Sequence, residues 1–377
     1  MLDVTLAQGD LETLLRAVAN AVPSKPHMPV LASALLEAEE GASALSCVGY
    51  DLNLGVRASA PAVVASGGIV AVPHRMLAAL VGKLPAGEVV RIRHSTEADQ
   101  LAVEAGEGRY SVTLGVDAAD YPDLPVVAAD PVRAPYGPLR AALSTVAHAV
   151  SQVEAKPELQ GVRFALAGGE LRLEAIDGAG HRAVFVRLPD LVTAGDDAAF
   201  TLPLPAVREL LRLDLLDDDL LELGQDGGVA VFRAGSTTLI SNLLAGKWPP
   251  MFDKLPPKYK VSLIVNRDEM LAAVSRAQVI ADLTECVIAL DVTPDAITVG
   301  SENDLGHAAD PVGLDEGSSA VRDRLLFRSK YLIDALKHTE GTQVSINYVK
   351  AGTLAILESH GSVLHKYLVM GLAPKKA

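Results

Sequence analysis

Cysteine is scarce in this chain. Cys47 and Cys286 are the only two in 377 residues, and they lie in strand-like runs in different thirds. Two distant cysteines make neither a disulfide framework nor a structural zinc site, so both are expected to be buried free thiols. Aromatic residues make up only 4%, so the cores are expected to consist of Leu, Val, Ile and Ala. No apolar stretch reaches about 18 residues, the length of a membrane-crossing helix. The first 22 residues carry Asp3, Asp10 and Glu12 and lack the basic start and apolar run of a secretory leader. These absences predict a cytoplasmic protein with no membrane partner.

Catalytic signatures are equally thin. No Walker-type phosphate loop occurs, and Gly106-Glu107-Gly108 lacks the strand-to-helix setting and the following glycine of a dinucleotide site. The nine histidines are scattered, with no His-Glu-x-x-His run. No Gly-x-Ser-x-Gly elbow is present. Asp177 and His181 are four apart, but between strands rather than on one helix face. No catalytic residue, metal or cofactor is assigned. Triads assemble from distant residues, so a metal-independent hydrolase on tandem domains stands as one alternative.

What the chain does have is a repeat. Tyr121-Pro122-Asp123-Leu124-Pro125 and Trp248-Pro249 … Leu255-Pro256 share an aromatic, a proline and a Leu-Pro, with Pro122 and Pro249 127 residues apart. Helix starts at Pro73 and Pro203 lie 130 apart, and a third near Phe327-Arg328-Ser329-Lys330 follows about one period on. Each third is long enough to bury its own core.

Within each third the order reads helix, strands, helix, strands. Leu11, Leu14, Leu15, Val18 and Val22 recur at helical spacing, with Asp10 and Glu12 in the first turn. Further helices are expected from Pro73, over roughly 137–151, 203–214 and 266–281, and near 328–339. Tyr110, Val112 and Leu114 alternate with polar neighbours as a strand does. The predicted fold class is α+β: three similar domains, 1–125, 132–247 and 258–377, each a duplicated helix-plus-sheet unit.

Charge is sorted within the repeat. The six predicted helices carry eleven basic and seven acidic residues, a net +4, which leaves −18 for the rest of a chain of net −14. One reading is that Lys and Arg are good helix formers on solvated faces. The functional reading is that the helices line one concave face and meet a polyanion, contacting duplex DNA without reading its sequence. Arg75, Lys83, Arg140, Arg208, Arg212, Arg276, Lys330 and Lys337 are the helix bases assigned to that contact.

Three stretches then carry a resemblance: Asp177-Gly178-Ala179-Gly180-His181-Arg182-Ala183, the Trp248 … Pro256 run, and Tyr367-Leu368-Val369-Met370. Over nearly its whole length the chain resembles the bacterial DNA polymerase sliding clamps, the beta subunits of polymerase III. It departs from that pattern at the inserted Ala179 and Gly180, at Lys254, and in a tail Ala373-Pro374-Lys375-Lys376-Ala377. The resemblance implies a head-to-tail homodimer, half of a closed ring in each chain, that encircles double-stranded DNA and confers processivity without catalysis.

It implies further residues too. Lys25 and Gln152 match loops that touch DNA. Tyr110 and Val112 would face Val279 and Ile280 across the dimer joint, with Glu302 and Asp304 as acids nearby. A groove between the second and third domains would take short peptide motifs from the polymerase, the clamp loader and repair proteins. Its lining by position is Lys156, Leu159, Gly180, His181, Arg182, Ala183, Pro249, Tyr331, Leu354, Met370 and Leu372. A peptide-binding scaffold that never touches DNA is the weaker alternative.

Overall fold

Strands run straight into helices in this chain, and that junction organises the whole molecule. The computed structural model describes residues 1–95, 99–127, 131–178, 182–189, 197–281, 286–362 and 364–373, with Lys254 by its backbone alone. Among the described residues the six α-helices are α1 Gln8–Val18, α2 His74–Val81, α3 Tyr136–Ala147, α4 Leu204–Leu210, α5 Arg267–Ile280 and α6 Ser329–His338. Each begins on the residue after a strand.

Every third therefore opens with a strand: Leu2–Ala7, Val132–Pro135 and Val261–Asn266. Sequence periodicity reads these thirds as opening with a helix. The turn-like pair Gly9-Asp10 lies inside α1 and not before it, so it does not mark the end of Leu2–Ala7. The duplicated unit is thus one strand, a helix and three strands, twice per third, with one extra short strand, Val63–Ser66, in the first. Because α1 starts at Gln8, Glu12 falls outside its first turn and accepts instead from Gln8 Nε2 at 3.0 Å. At α5 the Asn266 side chain caps the helix, accepting from the amides of Asp268 and Glu269 at 3.0 and 3.1 Å.

The described residues pack into two compact units, one built mainly on Met1–Arg140 and Pro205–Leu243, the other mainly from Ala141 onwards. All strand pairs are antiparallel, and each unit holds one eight-stranded sheet. In the first unit the sheet is continuous through Thr237–Asn242 beside Leu54–Pro61, in register Thr237↔Ala58 to Ser241↔Leu54. In the second it is continuous through Arg182–Leu188 beside His365–Met370, in register Arg182↔Val369 to Val186↔His365. The remaining sheets have five strands in the first unit and four in the second.

Helix faces match the apolar spacing. Leu11, Leu14, Leu15 and Val18 are all buried and pack on strands Ala44–Tyr50 and Leu54–Pro61. The approach is close: a Cβ on Gly49 would lie 2.7 Å from the Val18 carbonyl oxygen, so only glycine fits there. Cys47 is fully buried, and burial pushes its thiol pKa up to about 12, as an inert core cysteine requires. Cys286 departs from expectation: it is half-buried and has φ +48°.

Candidate functional site

Alternation along two neighbouring strands divides the candidate groove residues between opposite faces of one sheet. On one face stand Ala183 and Phe185, with Leu368 opposite Ala183, Ile356 opposite Leu368, and Leu354 opposite Met370. This face is covered by the segment that follows the second third. Phe252 packs edge-on against Phe185, ring centroids 4.8 Å apart, and Trp248, Met251, Leu255 and Tyr259 close over the same cluster. Leu159 and Ala183 are buried as floor, whereas Pro249, Leu354 and Leu372 are half-buried and Met370 is 37% exposed. The accessible part is thus a small apolar patch rimmed by Met370, a side chain whose flexibility suits varied partners.

Arg182 points to the other face. Its side chain is only 9% exposed. The guanidinium donates to the His148 carbonyl at 2.8 Å, pairs with Asp334, and lies 5.4 Å from the centroid of the Tyr331 ring. Tyr331, Asp334 and His338 are spaced three and four apart, so α6 presents them on one side. Burial, together with the Asp177 carboxylate, raises the Tyr331 hydroxyl pKa. The main chain is locked here as well: the Asp177 amide donates to the Arg182 carbonyl at 3.0 Å, and the Arg182 amide to the Asp177 carboxylate at 3.2 Å. Gly178 lets this turn touch the 151–153 loop, since a Cβ would sit 2.4 Å from the Ser151 hydroxyl. Lys156 does not reach the apolar patch; its ammonium donates to the Gly178 carbonyl at 2.7 Å. Gly180 and His181 lie outside the described residues.

Beside Arg182 sits a feature the sequence did not disclose. The imidazoles of His148 and His338 stack face to face, centroids 3.8 Å apart and planes 4° from parallel. Neither ring nitrogen of His148 makes a hydrogen bond of good geometry among the described residues, although the Thr145 carbonyl lies near enough to favour the protonated ring. Burial, then His338, then the Arg182 guanidinium lower the His148 pKa to about 3, while the Thr145 carbonyl pulls weakly the other way. The ring is neutral at neutral pH.

The candidate DNA-contacting bases are all exposed, but they are not equivalent. Arg140 pairs with Asp217 at 2.7 Å, Arg212 with Glu209 at 2.9 Å, and Arg276 with Asp310 at 2.5 Å. Arg75, Lys83, Arg208, Lys330 and Lys337 have no carboxylate partner among the described residues. Lys83, Arg212, Asp214 and Arg328 fall outside the helices, which leaves eight basic against six acidic helical residues. The helical excess is therefore +2, not +4, because the helices are shorter than apolar periodicity implies. Lys25 and Gln152 are exposed in loops.

At the candidate joint, Gly108–Thr113 is the edge strand of the five-stranded sheet, and Gly306–Gly313 is an edge of the four-stranded one. Tyr110 is 42% exposed on its strand and Val279 80% exposed on α5. Ile280 is half-buried, and Glu302 and Asp304 are exposed. Val112 is 1% exposed: its side chain faces its own core, so within this edge strand it has only its main chain to offer a second chain. Among the described residues no cluster of three or more metal-ligating side chains occurs. No helix among them is long and apolar enough to cross a membrane.

Comparison with known proteins covers nearly the whole chain. Residues 2–125 match the family DNA polymerase III beta subunit, N-terminal domain, residues 135–250 its central domain, and residues 253–373 its C-terminal domain. The chain is 31% identical to the beta sliding clamp of Synechococcus elongatus, over 96% of this chain and 97% of that one. It is 25% identical to that of Staphylococcus aureus, over 96% of each. Among solved structures, the Bacillus subtilis DNA polymerase sliding clamp superposes with a TM-score of 0.92 at 22% identity, covering 99% of both chains. The Pseudomonas aeruginosa sliding clamp bound to griselimycin gives 0.91 at 23%, covering 99% of this chain and all of that one. The fold is that of these clamps.

Proposed function

Since this chain belongs to the DNA polymerase III beta subunit family, the bacterial sliding clamps, we propose that two copies close head to tail around duplex DNA in the cytoplasm. The family makes it a processivity subunit and not an enzyme. Three clamp domains, 1–125, 132–247 and 258–377, make each half-ring in this reading. The Gly108–Thr113 edge of one copy meets the third-domain edge of the other, with Tyr110 against Val279 and Ile280. Such pairing removes two open sheet edges at once and closes a heterologous contact into a ring.

The observation that carries the DNA reading is the set of exposed bases without a carboxylate partner among the described residues, Arg75, Lys83, Arg208, Lys330 and Lys337. On a chain of net −14, cations left unneutralised on or beside three of the six helices are what a phosphate backbone needs. Contacts of that kind hold DNA without fixing a position on it. The apolar patch around Met370 takes short motifs of the polymerase, the clamp loader and repair proteins. The P. aeruginosa clamp carries griselimycin, and we assign the same ligand to this patch.

Topology tests the ring. Loaded onto nicked circular DNA, the protein is retained; linearising the circle releases it. Release at the same rate from intact and cut circles would refute encirclement and leave ordinary electrostatic binding.

A further inference from the structure

We propose that the His148–His338 stack is a positioning element of the partner-peptide patch, holding the two strands that form its floor from the opposite face of the sheet. The inference rests on the patch being the partner site.

The two floor strands, Arg182–Leu188 and His365–Met370, are each anchored on their far side to the main-chain carbonyls of the stacked histidines, whose positions the ring stack fixes relative to each other. Arg182 precedes Ala183, and its guanidinium hangs on the His148 carbonyl and Asp334. Tyr367 precedes Leu368; its hydroxyl donates to the His338 carbonyl at 2.7 Å, and its ring lies 6.2 Å from that of His148. Asp334 closes the circuit, because its carbonyl meets Nδ1 of His338 at 2.7 Å. Successive strand residues face opposite ways, so a shift of Arg182 or Tyr367 on one face moves Ala183 or Leu368 on the other.

The shape of the His148 ring matters more here than its hydrogen bonds. Both nitrogens of His148 are buried and neither makes a hydrogen bond of good geometry among the described residues, the Thr145 carbonyl being a weak contact. An ordinary core would fill this place with an aliphatic side chain at lower cost, since unpaired buried polar atoms are expensive. What an imidazole offers, and leucine does not, is a flat face that lies flush on the His338 ring at 4°. The charged and titratable groups around it are Arg182 from the strand and Tyr331, Asp334 and His338 from α6, with Tyr367 from the neighbouring strand.

The test uses the full-length protein and griselimycin as probe, titrated by calorimetry. His148→Leu keeps bulk and loses the flat ring; His148→Phe keeps the ring. The expected result is roughly tenfold weaker griselimycin binding for His148→Leu and for His338→Leu. The double variant should be no weaker than either single one, and His148→Phe should stay within about twofold of the parent. Thermal unfolding and DNA retention of each variant report whether the fold survives. If the parent fails to bind griselimycin, the patch assignment itself falls. If the parent binds and the leucine variants bind equally well, only the positioning role falls. Strictly multiplicative losses in the double variant, or no rescue by phenylalanine, also overturn it.

Discussion

The imidazole of His148, the residue after α3, lies flat on that of His338, the last residue of α6, with centroids 3.8 Å apart. The neutral form of His148 is the one the fold accepts, and the first prediction concerns acid. In the unfolded chain this histidine takes a proton near pH 6.5, but in the native state not until about pH 3. Between those values the unfolded state binds more protons, so native stability falls as pH falls. Urea midpoints measured from pH 7 to pH 4 should drop less steeply for His148→Phe than for the parent. One proton accounts for at most about 1.4 kcal/mol per pH unit.

Arg182 is a second point of leverage. Asp334→Ala leaves a guanidinium that is nearly buried with one anionic partner fewer. Breaking such a pair from one side costs about 3 kcal/mol when both groups are fully buried. Asp334 is 25% exposed, so a loss of roughly 2 kcal/mol is expected in chemical denaturation. Asp334→Asn, which retains an acceptor, should recover about half of it.

For DNA, the bases without carboxylate partners should matter more than the paired ones. Arg75→Glu, Arg208→Glu and Lys337→Glu together should shorten retention on circular DNA and lower the salt slope by about 0.9 per lost phosphate contact. Arg140→Ala and Arg212→Ala, whose partners are Asp217 and Glu209, should change the slope by less. Equal effects of the two sets, read by retention at several salt concentrations, would count against the assignment.

The candidate joint separates two valines. Val279→Asp, at an exposed site, should give a folded monomer of 39.4 kDa by light scattering. Val112→Ala, in the core, should leave the assembly intact and lower stability by about 2 kcal/mol.

At the patch, Met370→Asp should abolish griselimycin binding while the melting temperature barely moves, because Met370 is 37% exposed. Phe252→Ala should do the reverse in part. Losing a ring packed on Phe185 costs about 3 kcal/mol of stability, and ligand affinity follows only through the loosened floor.

Much of this was legible in the residues themselves. The apolar stripe Leu11, Leu14, Leu15 and Val18 marks α1 because a helix repeats every 3.6 residues and the stripe is local. The strand Leu2–Ala7 before it was not legible, since it passes into the helix without a turn. Arg182 and Ala183 are neighbours in the chain, and resemblance groups them in one groove. The pleat sends one to a helix-side ion pair and the other to the apolar floor.

The sequence by itself determined the threefold period, the helix faces, the scarcity of catalytic and metal-binding patterns, and the family. All of these are written in short-range spacing or in the residues themselves. Only the tertiary structure decided that Arg140, Arg212 and Arg276 are neutralised by carboxylates, that Val112 faces inward, and that His148 finds His338. Those outcomes depend on which distant strand pairs with which and in what register. A chain read locally carries no term for either.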